Sequence, residues 1–183
     1  MRSTGEVLGL EENFSLAFYK SQVGSGTAKA AGSELPHAPA AWENKKVLIS
    51  LSNKESQKDQ VLMIGKTLKD LGFTLVGTQG TADFYNANGI KCDVVNKIGG
   101  GRPDVVDMIM NKEVCLVINT PKAKRNYAED RKTIRKMCLK YKVSYITTLA
   151  GAVAAVKGIE AVKNGNGGKG GVKSLQEYHA LIK

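Results

Sequence analysis

The chain has 183 residues, of which 42% are hydrophobic and 24% charged, and its formal net charge at pH 7 is +10. This length suits one globular domain with an additional segment and is short for two full domains. No apolar run approaches membrane-spanning length and no hydrophobic signal-peptide core opens the sequence, so we expect a soluble, cytoplasmic protein with no membrane partner.

The beginning of the chain differs in composition from the rest. Residues 13–22 form a predicted helix that carries apolar side chains at Phe14 and Phe18. Residues 24–44 are rich in Gly, Ala, Ser and Pro and are typical of a linker. No element close in sequence completes a core with this helix, so we expect residues 1–23 to form a separate segment.

From residue 45 onward, short apolar runs alternate with amphipathic helices. Such alternation with continuously apolar strands predicts an α/β protein with a mostly parallel sheet covered on both faces. In such sheets ligands bind beyond the carboxyl ends of the strands. The predicted strands are residues 47–51, 73–76, 92–95, 114–118 and 143–146, and the predicted helices are residues 57–71, a helix from 81, 103–110, 127–141 and 149–162.

Two local patterns mark the end of the chain. Residues 164–171 are too rich in glycine for regular structure and predict a flexible loop. Ser174 and Glu177 have the spacing of a capping box, which predicts a final short helix.

A turn rich in glycine and threonine, Gly77-Thr78-Gln79-Gly80-Thr81, joins the second predicted strand to the next helix. A helix start offers backbone N–H groups and a partial positive charge, glycine lets the backbone approach an anion closely, and threonine hydroxyls add donors. The turn therefore predicts a phosphate site. An ordinary strand-to-helix turn, in which Thr81 only caps its helix, explains the same segment equally well.

Donors and cations collect at the carboxyl ends of the predicted strands. Lys58 and Lys97 supply point charges suited to a phosphate, and Asn119 can bind a base or a sugar through its amide. Together with the threonine hydroxyls of the turn, these groups predict an anionic ligand, most simply a nucleoside monophosphate. The strand-end segments are 52–58, 78–81, 96–97, 119–122 and 147–148.

The positive charge is compatible with a nucleic acid, an anionic metabolite or an acidic partner surface. The densest basic run, residues 131–136, lies on a predicted helix whose apolar side chains Ile134, Cys138 and Tyr141 share one face. This pattern favours a solvated helix face over a nucleic-acid-binding stripe. We therefore expect no nucleic-acid partner, with DNA binding kept as a weaker hypothesis.

Groups that could catalyse a reaction are scarce. His37 lies in the linker and His179 in the last helix, so neither is placed to act as a general base at the strand ends. Asp104 and Asp107 are three residues apart on one predicted helical turn, which a solvated face or the electrostatics of a helix start explains. The residues thus indicate an anion-binding domain with no evident reaction.

The three cysteines, Cys92, Cys115 and Cys138, are odd in number and widely spaced. This spacing argues against a disulfide framework and against a zinc site, so we expect a reducing compartment and no metal ligands. Cys115 falls in an apolar strand and Cys138 on an apolar helix face, which favours packing over nucleophilic chemistry for both.

Five motifs follow one another along the chain, namely Gly77–Thr81, Val95–Lys97, Gly101–Pro103, Val117–Thr120 and Tyr145–Leu149. Together they resemble one protein family, the large chains of carbamoyl phosphate synthetases. Residues 1–7 and 14–22 resemble the end of the second ATP-grasp unit of these chains, and the rest resembles their carboxyl-terminal regulatory domain, which has the methylglyoxal synthase-like fold. The resemblance implies a Rossmann-like, three-layer domain with a five-stranded parallel sheet over residues 45–183, after an ATP-grasp tail (1–23) and a linker (24–44).

The resemblance also implies effectors and the residues that bind them. In bacterial members UMP inhibits and IMP can occupy an overlapping site, and ornithine activates from a second site between this domain and its neighbour. One contributing threonine of the ornithine site corresponds to Thr147, whereas the acidic ornithine ligands are absent from these 183 residues. By position, the effector contacts fall on Lys58, Thr78, Thr81, Lys97 and Asn119.

One position departs from the bacterial pattern. Pro121 replaces a threonine that follows the asparagine in bacterial relatives, so both a hydroxyl and an N–H donor are lost. Lys122 and Lys124 follow it, beside what looks like a one-residue insertion. These differences favour a more highly phosphorylated effector, such as UTP or phosphoribosyl pyrophosphate.

The resemblance places this chain within a larger enzyme. The fragment is expected to hold no cofactor and to catalyse nothing, whereas the intact glutamine-dependent ligase is expected to use ATP with Mg or Mn. The expected partners are the rest of the large chain and the glutaminase small subunit, which together supply carbamoyl phosphate for pyrimidine and arginine biosynthesis. The alternative is a methylglyoxal synthase-type lyase acting on dihydroxyacetone phosphate, a reaction that calls for acidic groups and a histidine at the phosphate site.

Overall fold

The structure is a computed structural model that describes residues 7–24, 45–52, 55–120, 128–164 and 173–182. Most of the predicted linker and glycine-rich loop lie outside the described residues, as do His37, Pro121, Lys122 and Lys124. The elements are α1 (Phe14–Gly24), β1 (Lys46–Leu51), α2 (Lys58–Asp70), β2 (Thr74–Thr78), α3 (Gln79–Ala87), β3 (Cys92–Val95), α4 (Val105–Met110), β4 (Val114–Thr120), α5 (Ala128–Tyr141), β5 (Ser144–Ile146), α6 (Leu149–Lys163) and α7 (Leu175–His179).

The five strands form one sheet in the order β3-β2-β1-β4-β5. Every neighbouring pair is parallel, and β1 lies at the centre, where Val47 pairs with Leu75 on one side and Leu116 on the other. The predicted parallel α/β fold is thus confirmed. Because the chain must return to the same edge after each strand, helices cover both faces.

Alternate residues of the central strand enter two separate cores. Val47 and Ile49 pack in the core that α2, α3 and α6 cover, whereas Leu48 packs in the core beneath α4 and α5 together with Val117 and Ile134. Successive side chains of a strand point to opposite faces, so a continuously apolar strand can fill both cores. This arrangement confirms the three-layer architecture.

The main difference from the predicted boundaries lies at the threonine-rich turn. We predicted a strand ending at Val76 and a helix starting at Thr81, but β2 continues to Thr78 and α3 starts at Gln79. Thr78 has the extended backbone of an N-cap residue, so strand and helix join without a loop. The whole turn is therefore shorter than its glycine content suggested.

The first helix packs against the α/β domain. Leu16 and Tyr19 of α1 are buried, and their helix lies against α6. A Cβ atom at Gly158 would lie 2.9 Å from the Ser15 carbonyl oxygen and 3.1 Å from the Tyr19 Cβ atom, so only glycine permits this approach. The buried side chains of α1 therefore pack on a helix that is distant in sequence. The domain boundaries at residues 23 and 45 stay predictions.

The predicted capping box at the end of the chain is confirmed. The Ser174 backbone N–H donates to the Glu177 carboxylate (2.6 Å), and the Glu177 N–H donates to the Ser174 hydroxyl (3.2 Å). The Tyr178 hydroxyl of the short helix that follows donates to the Leu10 carbonyl oxygen at 3.0 Å. This bond joins the last helix to the segment that precedes α1.

Candidate functional site

The start of α3 has the features of an anion site. Thr78 occupies the N-cap position, yet its hydroxyl makes no capping hydrogen bond, and the first turn contains no acidic residue. The N–H groups of a first helical turn have no acceptor within their own helix, and the helix dipole adds positive charge there. A phosphate at this end could accept hydrogen bonds from these N–H groups, because the Thr78 side chain does not bind them.

Thr81 does not cap this helix, so the simpler interpretation of the turn is wrong in that respect. Its side chain lies within the first turn and is only 1% exposed. Its hydroxyl accepts a hydrogen bond from the Leu51 backbone N–H at 3.2 Å. Thr81 therefore fixes the end of β1 against α3, which a capping residue would not do.

A cleft of about 240 Å³ opens at the carboxyl edge of the sheet beside this turn. Its rim is polar and its floor is aliphatic, because it lies above the core that α4 and α5 cover. A ligand with one anionic end and one less polar end fits such a lining. The lining residues are Leu48, Ser50, Leu51, Ser52, Thr78, Thr81, Lys97, Ile98, Val105, Val117, Asn119, Thr120, Asp130, Arg131 and Ile134.

Four of the five predicted effector-binding residues line this one cleft. Thr78 ends β2, Thr81 lies in α3, Lys97 follows β3, and Asn119 belongs to β4. Parallel strands bring their carboxyl ends to the same edge, which is why residues so far apart in sequence meet here.

Two predicted residues lie elsewhere. Lys58 is the exposed first residue of α2, and Thr147 is exposed just before Thr148, the N-cap of α6. Neither contributes to the lining of the cleft. Their roles in effector and ornithine binding stay predictions.

Asn119 is held by a tyrosine of the neighbouring strand. Its side chain is 5% exposed, and its Nδ2 donates to the Tyr145 hydroxyl at 3.4 Å. Burial raises the pKa of Tyr145 above its usual range, so the hydroxyl keeps its proton. Among the described residues the side-chain oxygen of Asn119 accepts no hydrogen bond, which leaves an acceptor beside the cleft.

Sequence reasoning missed three polar residues of the cleft, namely Ser50, Asp130 and Arg131. The basic run of α5 was expected to be a solvated face, and Lys132, Arg135 and Lys136 are indeed exposed. The expectation of a solvated face is wrong for Arg131, which is half-buried and lines the cleft with Asp130. The missed signal is topological, because a helix that follows a parallel strand begins at the carboxyl edge of the sheet.

The paired aspartates serve the start of α4. Asp104 accepts from the N–H groups of Val106 (2.8 Å) and Asp107 (3.1 Å), and the Asp107 carboxylate accepts from the Asp104 N–H at 2.9 Å. Asp107 also pairs with the Arg102 guanidinium. The expectation that helix-start electrostatics explains this pair is confirmed.

The cysteines are protonated packing groups at neutral pH. Burial raises the pKa of Cys92 and of Cys138 to about 12, and that of Cys115 to about 11. A thiol with so high a pKa supplies almost no thiolate at pH 7 and is a poor nucleophile. Packing is thus supported for Cys115 and Cys138. Across the part of the chain that the structure describes, no cluster of three His, Cys, Asp or Glu side chains could hold a metal ion.

Comparison with known proteins assigns the fold to a class. Residues 60–147 match the model of the MGS-like domain family. This match covers the strands β2, β3, β4 and β5 and the lining residues from Thr78 to Ile134. The α/β domain is an MGS-like domain.

The relatives that the comparison found are large chains of carbamoyl phosphate synthases. The chain is 45% identical over 179 residues to the carbamoyl phosphate synthase large chain of Archaeoglobus fulgidus, an alignment that covers 98% of this chain and 15% of that one. It is 41% identical over 182 residues to the large chain of Ralstonia nicotianae (100% and 15%), and 40% identical over 163 residues to the C-terminal section of the large chain of Methanopyrus kandleri (89% and 28%).

The chain belongs to the carbamoyl phosphate synthase large-chain family and corresponds to its C-terminal, MGS-like section. It spans 15% of the length of the Archaeoglobus and Ralstonia relatives. None of the helices in the described ranges is long and apolar enough to cross a membrane.

Proposed function

We propose that this chain is the regulatory section of a glutamine-dependent carbamoyl phosphate synthetase and that its cleft binds a nucleotide effector. The observation that supports the proposal most strongly is the cleft itself. Thr78, Thr81 and Asn119, from three separate elements, and Lys97, from the segment after β3, line it next to the start of α3. UMP and IMP are the simplest effectors, and UTP or phosphoribosyl pyrophosphate are the alternatives that the sequence after Thr120 suggests.

Two groups of lining residues would bind two different parts of the ligand. The phosphate would lie at the first turn of α3, where Thr78 and Lys97 supply a hydroxyl and a charge. Asn119 would bind the sugar or the base through its amide, above the aliphatic floor of Leu48 and Val117. An effector that binds more tightly to one state of the synthetase shifts the enzyme toward that state by the difference in affinity.

The remaining functions belong to the whole synthetase. Thr147 would contribute to an ornithine site whose acidic ligands lie upstream of this chain. ATP with Mg or Mn, and the reaction itself, would belong to the rest of the large chain, with glutamine hydrolysis in the small subunit. In this proposal a cytoplasmic enzyme supplies carbamoyl phosphate for pyrimidine and arginine biosynthesis, and this section adjusts its rate.

The proposal predicts that a nucleotide effector raises the melting temperature of the chain. UMP, IMP, UTP and phosphoribosyl pyrophosphate would each be added at millimolar concentration in a thermal-shift assay. A ligand at 100 times its Kd stabilises the folded state by about 2.7 kcal/mol, which corresponds to several degrees for a chain of this size. A melting temperature that none of the four ligands changes would contradict the proposal.

Two lysine variants locate the effect. Lys97→Ala should remove most of the thermal shift, because it deletes the cation proposed to lie beside the phosphate. Lys66→Ala removes an exposed lysine of α2 and should leave the shift unchanged. An equal shift in both variants would remove Lys97 from the site.

The lyase alternative is disfavoured by the lining of the cleft. Among the described residues no histidine lines it, and Asp130 is its one carboxylate. The assay is incubation of the purified chain with dihydroxyacetone phosphate. Release of phosphate together with methylglyoxal would overturn the regulatory assignment.

A further inference from the structure

One edge of the sheet, at β3, is covered by a side chain where a further strand would otherwise fit. The Cys92 backbone N–H donates to Oδ1 of Asn86 at 2.9 Å, and Nδ2 of Asn86 donates to the Cys92 carbonyl oxygen at 3.0 Å. A neighbouring strand would bond to the same two backbone groups. The side-chain amide of Asn86, in the last turn of α3, therefore takes the place of a strand at this point of the edge.

The other outward-facing positions of β3 follow from the alternation of a strand. Because Cys92 points its backbone groups away from β2, Val94 and Asn96 point theirs the same way. The Asn96 carbonyl oxygen accepts from the Val105 N–H at 3.1 Å, and Asn96 pairs with Asp104 in an isolated parallel bridge. Between these two covered positions, no residue of the described ranges covers Val94, which is 50% exposed.

An open strand edge is a template on which a second copy of the same chain can pair. Two β3 strands could pair antiparallel with Cys92 of each copy opposite Val94 of the other, so that the outward backbone groups of both residues are satisfied. This register places the exposed Asp93 side chains of the two copies directly opposite each other. Like charges at opposite positions destabilise a strand pair, so Asp93 opposes the pairing that the Asn86 amide blocks.

We propose that Asn86 prevents two copies of this chain from joining their sheets at β3, and that the charge of Asp93 opposes the same contact. Asn86 acts by occupying both hydrogen-bonding groups of Cys92, so a second copy can bond only at Val94. One open position offers too few hydrogen bonds to hold two strands together, because even a complete two-stranded pair is marginally stable in water. The edge is thereby closed without an additional strand.

Sedimentation equilibrium over a range of protein concentrations tests the proposal. Asn86→Ala frees the backbone groups of Cys92, so its weight-average mass should rise with concentration above the native value, toward twice that value. Asn86→Ala combined with Asp93→Asn should associate more strongly, because the repulsion between the carboxylates is removed. Val94→Lys added to either variant should restore the native mass, since a lysine on a strand edge prevents pairing, and Val94→Lys alone should leave the native mass unchanged.

Amide hydrogen exchange measures the loss of the Asn86 contact itself. In Asn86→Ala the Cys92 amide should exchange about tenfold faster at low protein concentration, because its hydrogen bond is lost. The matched control is Asn88→Ala, at the end of the same helix, where the side-chain amide donates to the Phe84 carbonyl oxygen at 2.8 Å. This control should change neither the mass nor the exchange rate of Cys92.

Unchanged masses in both Asn86→Ala variants would overturn the proposal, because Asn86 would then have only a local structural role. Unchanged exchange at Cys92 would also overturn it, as would a rise in mass that Val94→Lys does not reverse, since the copies would then associate through another surface. If circular dichroism shows that Asn86→Ala does not fold, Asn86→Ser replaces it in every comparison. The shorter serine side chain cannot reach both backbone groups of Cys92.

Discussion

At the scale of residues, Thr78 and Thr81 lie only three positions apart in one turn but have different structural roles. Thr78 ends β2 and makes no capping bond, whereas Thr81 is buried and its hydroxyl accepts from the Leu51 N–H. The sequence pattern placed both in a phosphate site but could not separate them. A hydrogen bond between residues 30 positions apart depends on how α3 packs on β1, which local spacing does not encode.

Isosteric replacement separates these roles. Thr81→Val removes the acceptor of a buried N–H and should lower the free energy of unfolding by about 1–3 kcal/mol. Thr78→Val removes a hydroxyl that makes no capping bond and should change that free energy by less than about 0.5 kcal/mol, while reducing the nucleotide-induced thermal shift. Urea denaturation measures both. A larger loss of stability in Thr78→Val than in Thr81→Val would contradict this division.

At the scale of elements, the fold was largely predictable and the contacts between helices were not. The five strands and the helices between them follow from apolar runs and helical periodicity, and only the ends shifted, as at Thr78. The packing of α1 on α6 was not foreseen, because it depends on the absence of a side chain at Gly158. Gly65, inside α2, is a similar case. The sequence around it gives no sign that a side chain is excluded there, but the packing in the structure excludes one.

The requirement for glycine at position 65 can be tested by substitution. A Cβ atom there would lie 2.3 Å from Cε1 of Tyr85, whose ring is fully buried and whose hydroxyl donates to the Val61 carbonyl oxygen at 2.9 Å. Gly65→Ala should therefore lower the free energy of unfolding by about 1–3 kcal/mol, since neither α2 nor the Tyr85 ring can move freely. Urea denaturation is again the measurement.

A double-mutant cycle identifies the cause. Tyr85→Leu removes the ring that the new methyl group would meet, so the losses from Gly65→Ala and Tyr85→Leu should add to more than the loss in the double variant. Lys66→Ala, at the exposed neighbouring position, should be close to neutral. Strict additivity would mean that the contact between Gly65 and Tyr85 does not cause the destabilisation.

At the scale of the whole molecule, topology explains which part of the site was predictable. Lys97 and Asn119 could be placed together with the threonines because all of them follow or end parallel strands, whose carboxyl ends share an edge. Asp130 and Arg131 were missed because they belong to a helix, and a charged helical turn looks like a solvated face in sequence. Lys58 and Thr147 also lie after strands, but neither lines the cleft, which the order of elements along the chain does not reveal.

The central claim is that a nucleotide binds at the carboxyl edge of the sheet. The most direct measurement is a titration of the 15N-labelled chain with UMP, IMP, UTP and phosphoribosyl pyrophosphate, followed by amide chemical shifts. The claim predicts that at least one ligand shifts the amides at the start of α3, residues 79–81, together with those of Lys97 and Asn119. Shifts confined to the exposed basic face of α5, around Lys132, Arg135 and Lys136, or no shifts with any of the four ligands, would contradict it.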